Sequence, residues 1–202
     1  MQLSLQNIGI HFNSQWIFRA VSLDFHINDK VVFIGDNGSG KSTLLKICSG
    51  FLSPEEGELI VTKNGKTVEV IAPLISLSAP YIELIEEMTL LEFLEFHFTF
   101  KDKLIPISEM ITRIGLNGKE NQFIENFSSG MKQRVSLAQA FFADTPILLL
   151  DEPCSNMDEK GIELYNELLN QYTQNRIVVI ASNDTKEYLT CNKKVFLSEY
   201  KP

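Results

Sequence analysis

Eight consecutive residues, Gly35-Asp36-Asn37-Gly38-Ser39-Gly40-Lys41-Ser42, follow the spacing G-x-x-x-x-G-K-[ST]. Glycines let a backbone curl tightly enough for successive N–H groups to converge, and such a concave surface suits phosphate oxygens. The apolar run Val31-Val32-Phe33-Ile34 before the loop reads as a strand. Thr43-Leu44-Leu45-Lys46-Ile47 after it reads as a helix whose positive dipole end faces the loop. In that setting Lys41 reaches the β- and γ-phosphates of a nucleotide and the Ser42 hydroxyl goes to Mg²⁺. Residues 35–43, including Thr43, are therefore the expected binding segment for ATP or GTP.

Two carboxylates end a second apolar run, Ile147-Leu148-Leu149-Leu150-Asp151-Glu152-Pro153. Asp151 at the end of a buried strand is the candidate to hold Mg²⁺ through its water shell. Glu152, facing the other side of the strand end, is the candidate to orient or deprotonate an attacking water. Acidic residues are common at strand ends, so the pair draws its meaning from the glycine loop. Between the two motifs, Phe127-Ser128-Ser129-Gly130-Met131-Lys132-Gln133-Arg134 opens a helical pattern. Ser128 and the amides of Ser129 and Gly130 form an anion site there, or else simply cap an ordinary helix.

In this order the segments resemble the ATP-binding subunits of ABC transporters. The stretch 127–134 is similar to the family signature Leu-Ser-Gly-Gly-Gln followed by Lys/Arg-Gln-Arg, and Ser155-Asn156-Met157-Asp158 resembles its D-loop, Ser-Ala-Leu-Asp. Phe12 stands nine residues before Val21, where members carry an aromatic that stacks on adenine. The resemblance spans nearly the whole chain and implies an ATPase using ATP and Mg²⁺. It also implies that ATP is sandwiched between two subunits, with Ser128, Ser129, Gly130 and Met131 completing in trans the pocket of the other subunit. The implied partners are a second ATP-binding subunit, identical or different, and an integral-membrane permease in a separate chain. The implied location is the cytoplasmic face of the cell membrane, reached through that permease.

Three departures from the family pattern bear on catalysis. Ser129 replaces the first signature glycine and Met131 the final glutamine. The glutamine that members carry after the strand near 75–78 is matched by Ala79 or Pro80, with Glu83, Glu86 and Glu87 nearby. The strand-end His-Asp pair is matched by Asn183-Asp184. Asparagine donates a neutral hydrogen bond but cannot become cationic as histidine does. The expected catalytic set is thus Glu152, Lys41 and Asn183, with slow hydrolysis. Two other readings compete: a regulatory module that binds ATP without meaningful turnover, and a soluble ABC-type ATPase outside transport.

These groups need a scaffold. Buried apolar runs at 31–34, 147–150 and 176–181, alternating with helical patterns at 42–51, 89–100, 108–114, 130–143 and 160–174, predict an α/β fold with a mostly parallel sheet. Alternation through Val21, Leu23, Phe25 and Ile27, and a hairpin signal at Asn64-Gly65 between 58–62 and 66–71, predict an antiparallel β subdomain at the N-terminal side. The expected organisation is one ABC-type ATPase domain over 1–202: a nucleotide-binding core from 1–75 and 146–202, and a helical subdomain at 76–145. Within that lobe Leu90, Phe93, Leu94 and Phe98 read as core, while Phe96 and Phe100 are candidates to line a groove for a permease helix.

Bulk composition narrows the field. A formal charge of −8 without a basic stripe argues against nucleic acid as a partner. Cys48, Cys154 and Cys191 stand apart from one another and from histidines, as reduced thiols do. No signal peptide is evident at the N-terminus, and no apolar run reaches the roughly 18–20 residues of a membrane span.

Overall fold

The computed structural model describes residues 1–201. The chain starts with β1 (Gln2–Phe12) and β2 (Gln15–His26), followed by β3 (Lys30–Ile34) and α1 (Lys41–Cys48). Next come β4 (Glu56–Lys63), β5 (Lys66–Thr67), β6 (Ile75–Ser78), α2 (Leu90–His97), α3 (Ile107–Arg113) and α4 (Ser129–Phe141). β7 (Ile147–Asp151), α5 (Glu159–Gln171), β8 (Ile177–Ala181) and β9 (Lys193–Phe196) follow. Four strands make an antiparallel sheet ordered β2-β1-β4-β5, and five make a sheet ordered β6-β7-β8-β3-β9 whose pairings are all parallel. This is the α/β class that the sequence predicts.

β3, β7 and β8 are continuous apolar runs because both of their faces are covered. Val31, Phe33, Ile147, Leu149, Ile177 and Val179 pack in one core with residues of α1 and of the antiparallel sheet. Val32, Leu148, Leu150, Val178 and Ile180 turn the other way, toward α4, α5 and the lobe between β6 and β7. Side chains alternate along a strand, so Asp151 falls on the α1 side with Ile147 and Leu149.

The local signals explain most element ends. Asn13 and Ser14 both take positive φ, 48° and 65°, and close the β1–β2 hairpin, with Phe12 paired to Gln15 beside the turn. α1 stops at Cys48, short of the predicted 51, because Gly50 turns the chain at φ 73°. Asn64-Gly65 does make its hairpin, but the second strand is only Lys66–Thr67 and not a run to 71. Thr89 and Glu92 form a reciprocal capping box on α2; Ser128 caps α4 and Asp158 caps α5. β9 escapes sequence reading because Val195 is its one buried residue between exposed lysines and an exposed phenylalanine.

Arg176 ties the lower, N-terminal edge of the parallel sheet together. Its buried guanidinium donates to the carbonyls of Phe141 (3.0 Å) and Tyr172 (3.2 Å) and to the hydroxyls of Ser76 (2.7 Å) and Thr145 (2.8 Å). Among the described residues no carboxylate forms an ion pair with it, and burial brings its pKa down to about 10.

In the lobe, Leu90, Phe93, Leu94 and Phe98 are buried as predicted, while Phe96 and Phe100 are exposed. His97 lies between them, stacked on Phe93 and edge-on to Phe98, with a buried Nε2 that meets no partner. Burial, helped by the Lys101 cation, holds its pKa down at about 4. Because the folded value lies below the unfolded value of about 6.5, the native state favours neutral imidazole. That contribution is complete above about pH 6.5 and is lost as pH falls toward 4. Urea unfolding should therefore show a loss of about 2 kcal/mol between pH 7 and pH 5 in the parent that His97→Phe removes.

Candidate functional site

The glycine loop leaves the C-terminal end of β3 and enters α1 through Gly40, which caps the helix at φ 101° with no side-chain hydrogen bond. A Cβ on Gly40 would lie 2.5 Å from Ile17 Cγ2 and 3.0 Å from the Phe18 ring, whereas one on Gly38 would meet nothing within 4 Å. The Ser39 amide closes a turn onto the Asp36 carbonyl at 3.0 Å. Among the described residues, the amides of Gly38, Gly40, Lys41, Ser42 and Thr43 meet no acceptor, and the buried Ser39 hydroxyl is also unpaired. The residues of these five amides line a cavity of about 260 Å³ together with Phe12, Ile17, Asn37 and Glu152. Unpaired amides at a helix N-terminus bordering an open cavity make an anion cradle.

Lys41 is buried and its ammonium bridges the loop, donating to the Gly35 carbonyl at 2.7 Å and the Asp36 carbonyl at 3.2 Å. Burial lowers its pKa, and the Glu152 and Asp151 carboxylates work in the opposite direction. Asp36 thus contributes its main chain, and among the described residues its side chain holds no hydrogen bond.

Asp151 is 1% exposed and its Oδ1 has no hydrogen-bond partner. Burial pushes its pKa up to about 6; the Ser42 hydroxyl opposes this, Glu152 reinforces it, and Lys41 and Lys46 oppose it again. A buried carboxylate with an unpaired oxygen, facing a serine hydroxyl at a helix start, fits a divalent cation such as Mg²⁺.

Glu152 follows with φ 44°, a left-handed value unusual for this residue, and its amide donates to the Ala181 carbonyl at 2.9 Å. The kink turns Glu152 out to the loop cavity, where the Ser155 hydroxyl donates to Oε2 at 3.3 Å. Asn183, just past β8, donates through Nδ2 to Asn37 Oδ1 at 2.9 Å and so touches the loop directly. Phe12, at the tip of the β1–β2 hairpin, is half exposed on the same cavity.

The structure therefore gathers Phe12, the loop residues, Asp151, Glu152 and Asn183, which lie far apart in the chain. It leaves Ser128, Ser129, Gly130 and Met131 elsewhere: they line a different cavity with Gly115, Arg134 and Asn156. Ser128 caps α4 by accepting from the Met131 amide at 3.3 Å, and a Cβ on Gly130 would come within 3.2 Å of the Asn156 carbonyl.

Sequence reasoning missed several supports. Ile17 forms part of the cavity wall and is one β-branched residue in an irregular strand, a position without a motif. Gln133 donates to the Pro153 carbonyl at 2.8 Å, and Glu187 accepts from the Cys154 amide at 2.8 Å, so both fix the chain just after Glu152. Gln133 stands within a recognised motif, but nothing around Glu187 marks it.

Comparison with known proteins gives this geometry a family. A family model described as "ABC transporter" matches residues 18–155. The chain belongs to the ABC transporter family. Within it, the chain is an ATP-binding protein: it is 27% identical to the cytochrome c biogenesis ATP-binding export protein CcmA of Haemophilus influenzae over 99% of this chain and 97% of that one. It is 37% identical to the uncharacterized ABC transporter ATP-binding protein YybJ of Bacillus subtilis, over 76% of this chain and 72% of that protein. Among solved structures, a putative ABC transporter ATP-binding protein of Pyrococcus furiosus superposes with a TM-score of 0.85 at 22% identity, covering all of both chains. An ATP-binding cassette solved as a dimer in a post-hydrolysis state with ADP and Pi superposes with a TM-score of 0.78 at 21% identity, covering 96% of this chain and 93% of that one. At those identities the superpositions speak for the ABC fold.

The loop's dependence on Gly40 is directly testable. Gly40→Ala combines a disfavoured φ with a clash against Ile17, so it should destabilise the fold by more than about 1 kcal/mol. Thermal melts with and without ATP should also show that the nucleotide-induced rise in Tm is gone.

Proposed function

We propose that the whole chain, 1–202, works as one ABC-type ATPase that powers transport through a separate permease, with 1–75 and 146–202 as nucleotide-binding core and 76–145 as the helical lobe. One observation carries this reading: Lys41, Glu152 and a row of unpaired loop amides line a single cavity, with the unpaired Asp151 oxygen at the first turn of α1.

In this reading the amides of residues 38–43 bind the phosphates, and Lys41 exchanges its two carbonyl partners for the β- and γ-oxygens. Ser42 and Asp151 would hold Mg²⁺, which would supply neutralisation of the phosphate charge. Phe12 is exposed enough to stack on adenine. Glu152 takes a proton from the attacking water as its oxygen bonds to the γ-phosphorus and the bond to the β-phosphate oxygen breaks, releasing ADP and phosphate. Asn183 swings from Asn37 to the γ-phosphate as a neutral donor. Ser128, Ser129, Gly130 and Met131 cover the γ-phosphate of a second ATP-binding subunit, identical or related, so ATP favours the closed pair and hydrolysis releases it. The weak 3.3 Å cap from Met131 leaves the Ser128 hydroxyl readily available for that contact.

Among the described residues, no helix is long and apolar enough to cross a membrane. The resemblance to ATP-binding transporter subunits supports a membrane partner in a separate permease, with this chain on the cytoplasmic face of the membrane. Phe96 and Phe100 support a docking place in the helical lobe, being exposed and edge-to-face at 5.2 Å beside a groove that also includes Ile82 and Ile85. A second reading, a regulatory clamp with minimal turnover, is favoured by one observation: the neutral Asn183 at the loop.

Two measurements separate these. With MgATP the parent should pair in sedimentation and hydrolyse slowly, and Glu152→Gln should lower kcat by about 10²-fold or more while retaining the pair. Asn183→His, which makes one hydrogen bond charge-assisted, should raise kcat roughly tenfold. A parent whose kcat is immeasurable and unresponsive to both changes would be the regulatory clamp.

A further inference from the structure

The two positions matched to the family's missing glutamine, Ala79 and Pro80, cannot do its work: one ends in a buried methyl and the other has no donor. β6 and β7 pair in register up to Ser78 and Leu150, so the chain leaving β6 runs alongside Asp151. Ser78 is already committed, its hydroxyl sharing a 2.8 Å bond with Ser136. The chain then makes a turn closed by the Ile82 amide on the Ala79 carbonyl at 3.0 Å, with Pro80 and Tyr81 at its corners. Tyr81 is the first residue beyond β6 whose side chain has a free donor.

The β6–β7 register and a contact with α1 put that donor on the metal-site side of the sheet edge. Lys46 Nζ lies 4.0 Å from the centroid of the Tyr81 ring, and Lys46 stands one helical turn after Ser42 on the same face of α1. The Tyr81 hydroxyl is buried with no hydrogen-bond partner, as is Asp151 Oδ1. Among charged neighbours, the Asp151 carboxylate acts most strongly on the phenol; together with burial, which acts first, it drives the phenol pKa well upward. The hydroxyl is a donor at any ordinary pH. A buried hydroxyl without an acceptor and a buried carboxylate oxygen without a donor, at the ends of paired strands, fit a hydrated cation.

We infer that Tyr81 replaces the absent glutamine as a positioning residue of the metal site, where its hydroxyl would hold a water of a bound Mg²⁺. This rests on the MgATP reading above. It also assigns the Lys46–Tyr81 contact a purpose: the cation fixes the ring so that the hydroxyl stays at the end of β6. The plain alternative is that the ring only plugs the space over Lys46, a task phenylalanine performs equally well.

The decisive readout is the strengthening of ATP binding by Mg²⁺, taken as the ratio of the ATP Kd in EDTA to that in excess Mg²⁺, by equilibrium titration of the full chain on ice. Tyr81→Phe should reduce this ratio roughly tenfold while leaving the EDTA value unchanged, and Tyr81→Gln should restore most of it. A Tyr81→Phe protein with the parental ratio overturns the inference, as does one that weakens ATP binding equally with and without metal. Should Tyr81→Phe fail to fold, Tyr81→Gln decides alone, since a ratio far below the parent's is incompatible with the exchange. If the parent binds no MgATP, or binds it as well as Lys41→Ala does, the underlying nucleotide reading falls and this one with it.

Discussion

Burial of β3, β7 and β8 on both faces is the constraint from which the rest of the molecule follows. A strand covered on two sides cannot slip by one residue, because every side chain in it would change cores. Val31 and Phe33 are committed to one core and Val32 to the other, and the same holds through β7 and β8. The C-terminal ends of these strands therefore arrive at one edge with fixed orientation. The glycine loop, Asp151, Glu152 and Asn183 are all attached within a few residues of those ends. In a parallel sheet such an edge is where ligands are held, since the loops gathered there are free of packing duties.

What gathers at that edge is a set of groups that do not satisfy one another. Backbone amides point to no carbonyl, a lysine ammonium rests on two main-chain oxygens, and a buried aspartate is left half paired. Away from that edge, few buried side-chain atoms lack a partner (His97 Nε2 and Arg176 Nε), and the Arg176 terminal nitrogens still reach four acceptors within 3.2 Å. The contrast is local and chemical: the unsatisfied groups are complementary to a polyanion and its counterion, and they cost stability that a ligand returns.

Legibility from the sequence divides along the same physical line. The glycine loop, the two carboxylates and the alternating cores are written in contiguous residues, so motif and period suffice, and the Ser128 cap follows from local chemistry, whereas the caps at Thr89 and Asp158 emerge only in the structure. Long elements come out with their helix ends two to three residues too far along, because periodicity says nothing about where a Gly50 or a frayed last turn stops a helix. Contacts between distant segments stay hidden. Tyr81 gains its meaning from Lys46 and Asp151, Glu187 from the amide of Cys154, and Asn183 from Asn37; none of these pairings leaves a trace in composition or spacing. β9 is silent for a simpler reason, having a single buried side chain to announce it.

The Arg176 staple has a mechanical corollary. It grips α4 at its far end, through the carbonyls of Ala140 and Phe141, while Ser128 and Gly130 stand at the opposite end of the helix. Thirteen residues of helix make a lever about 20 Å long. A pivot of roughly 3° at the root would carry the N-terminal tip, where Gln133 is held to Pro153, through about 1 Å, the scale on which a hydrogen bond is made or broken. A fulcrum on one rim of the sheet would thus convert a small rotation into a bond-length displacement on the other.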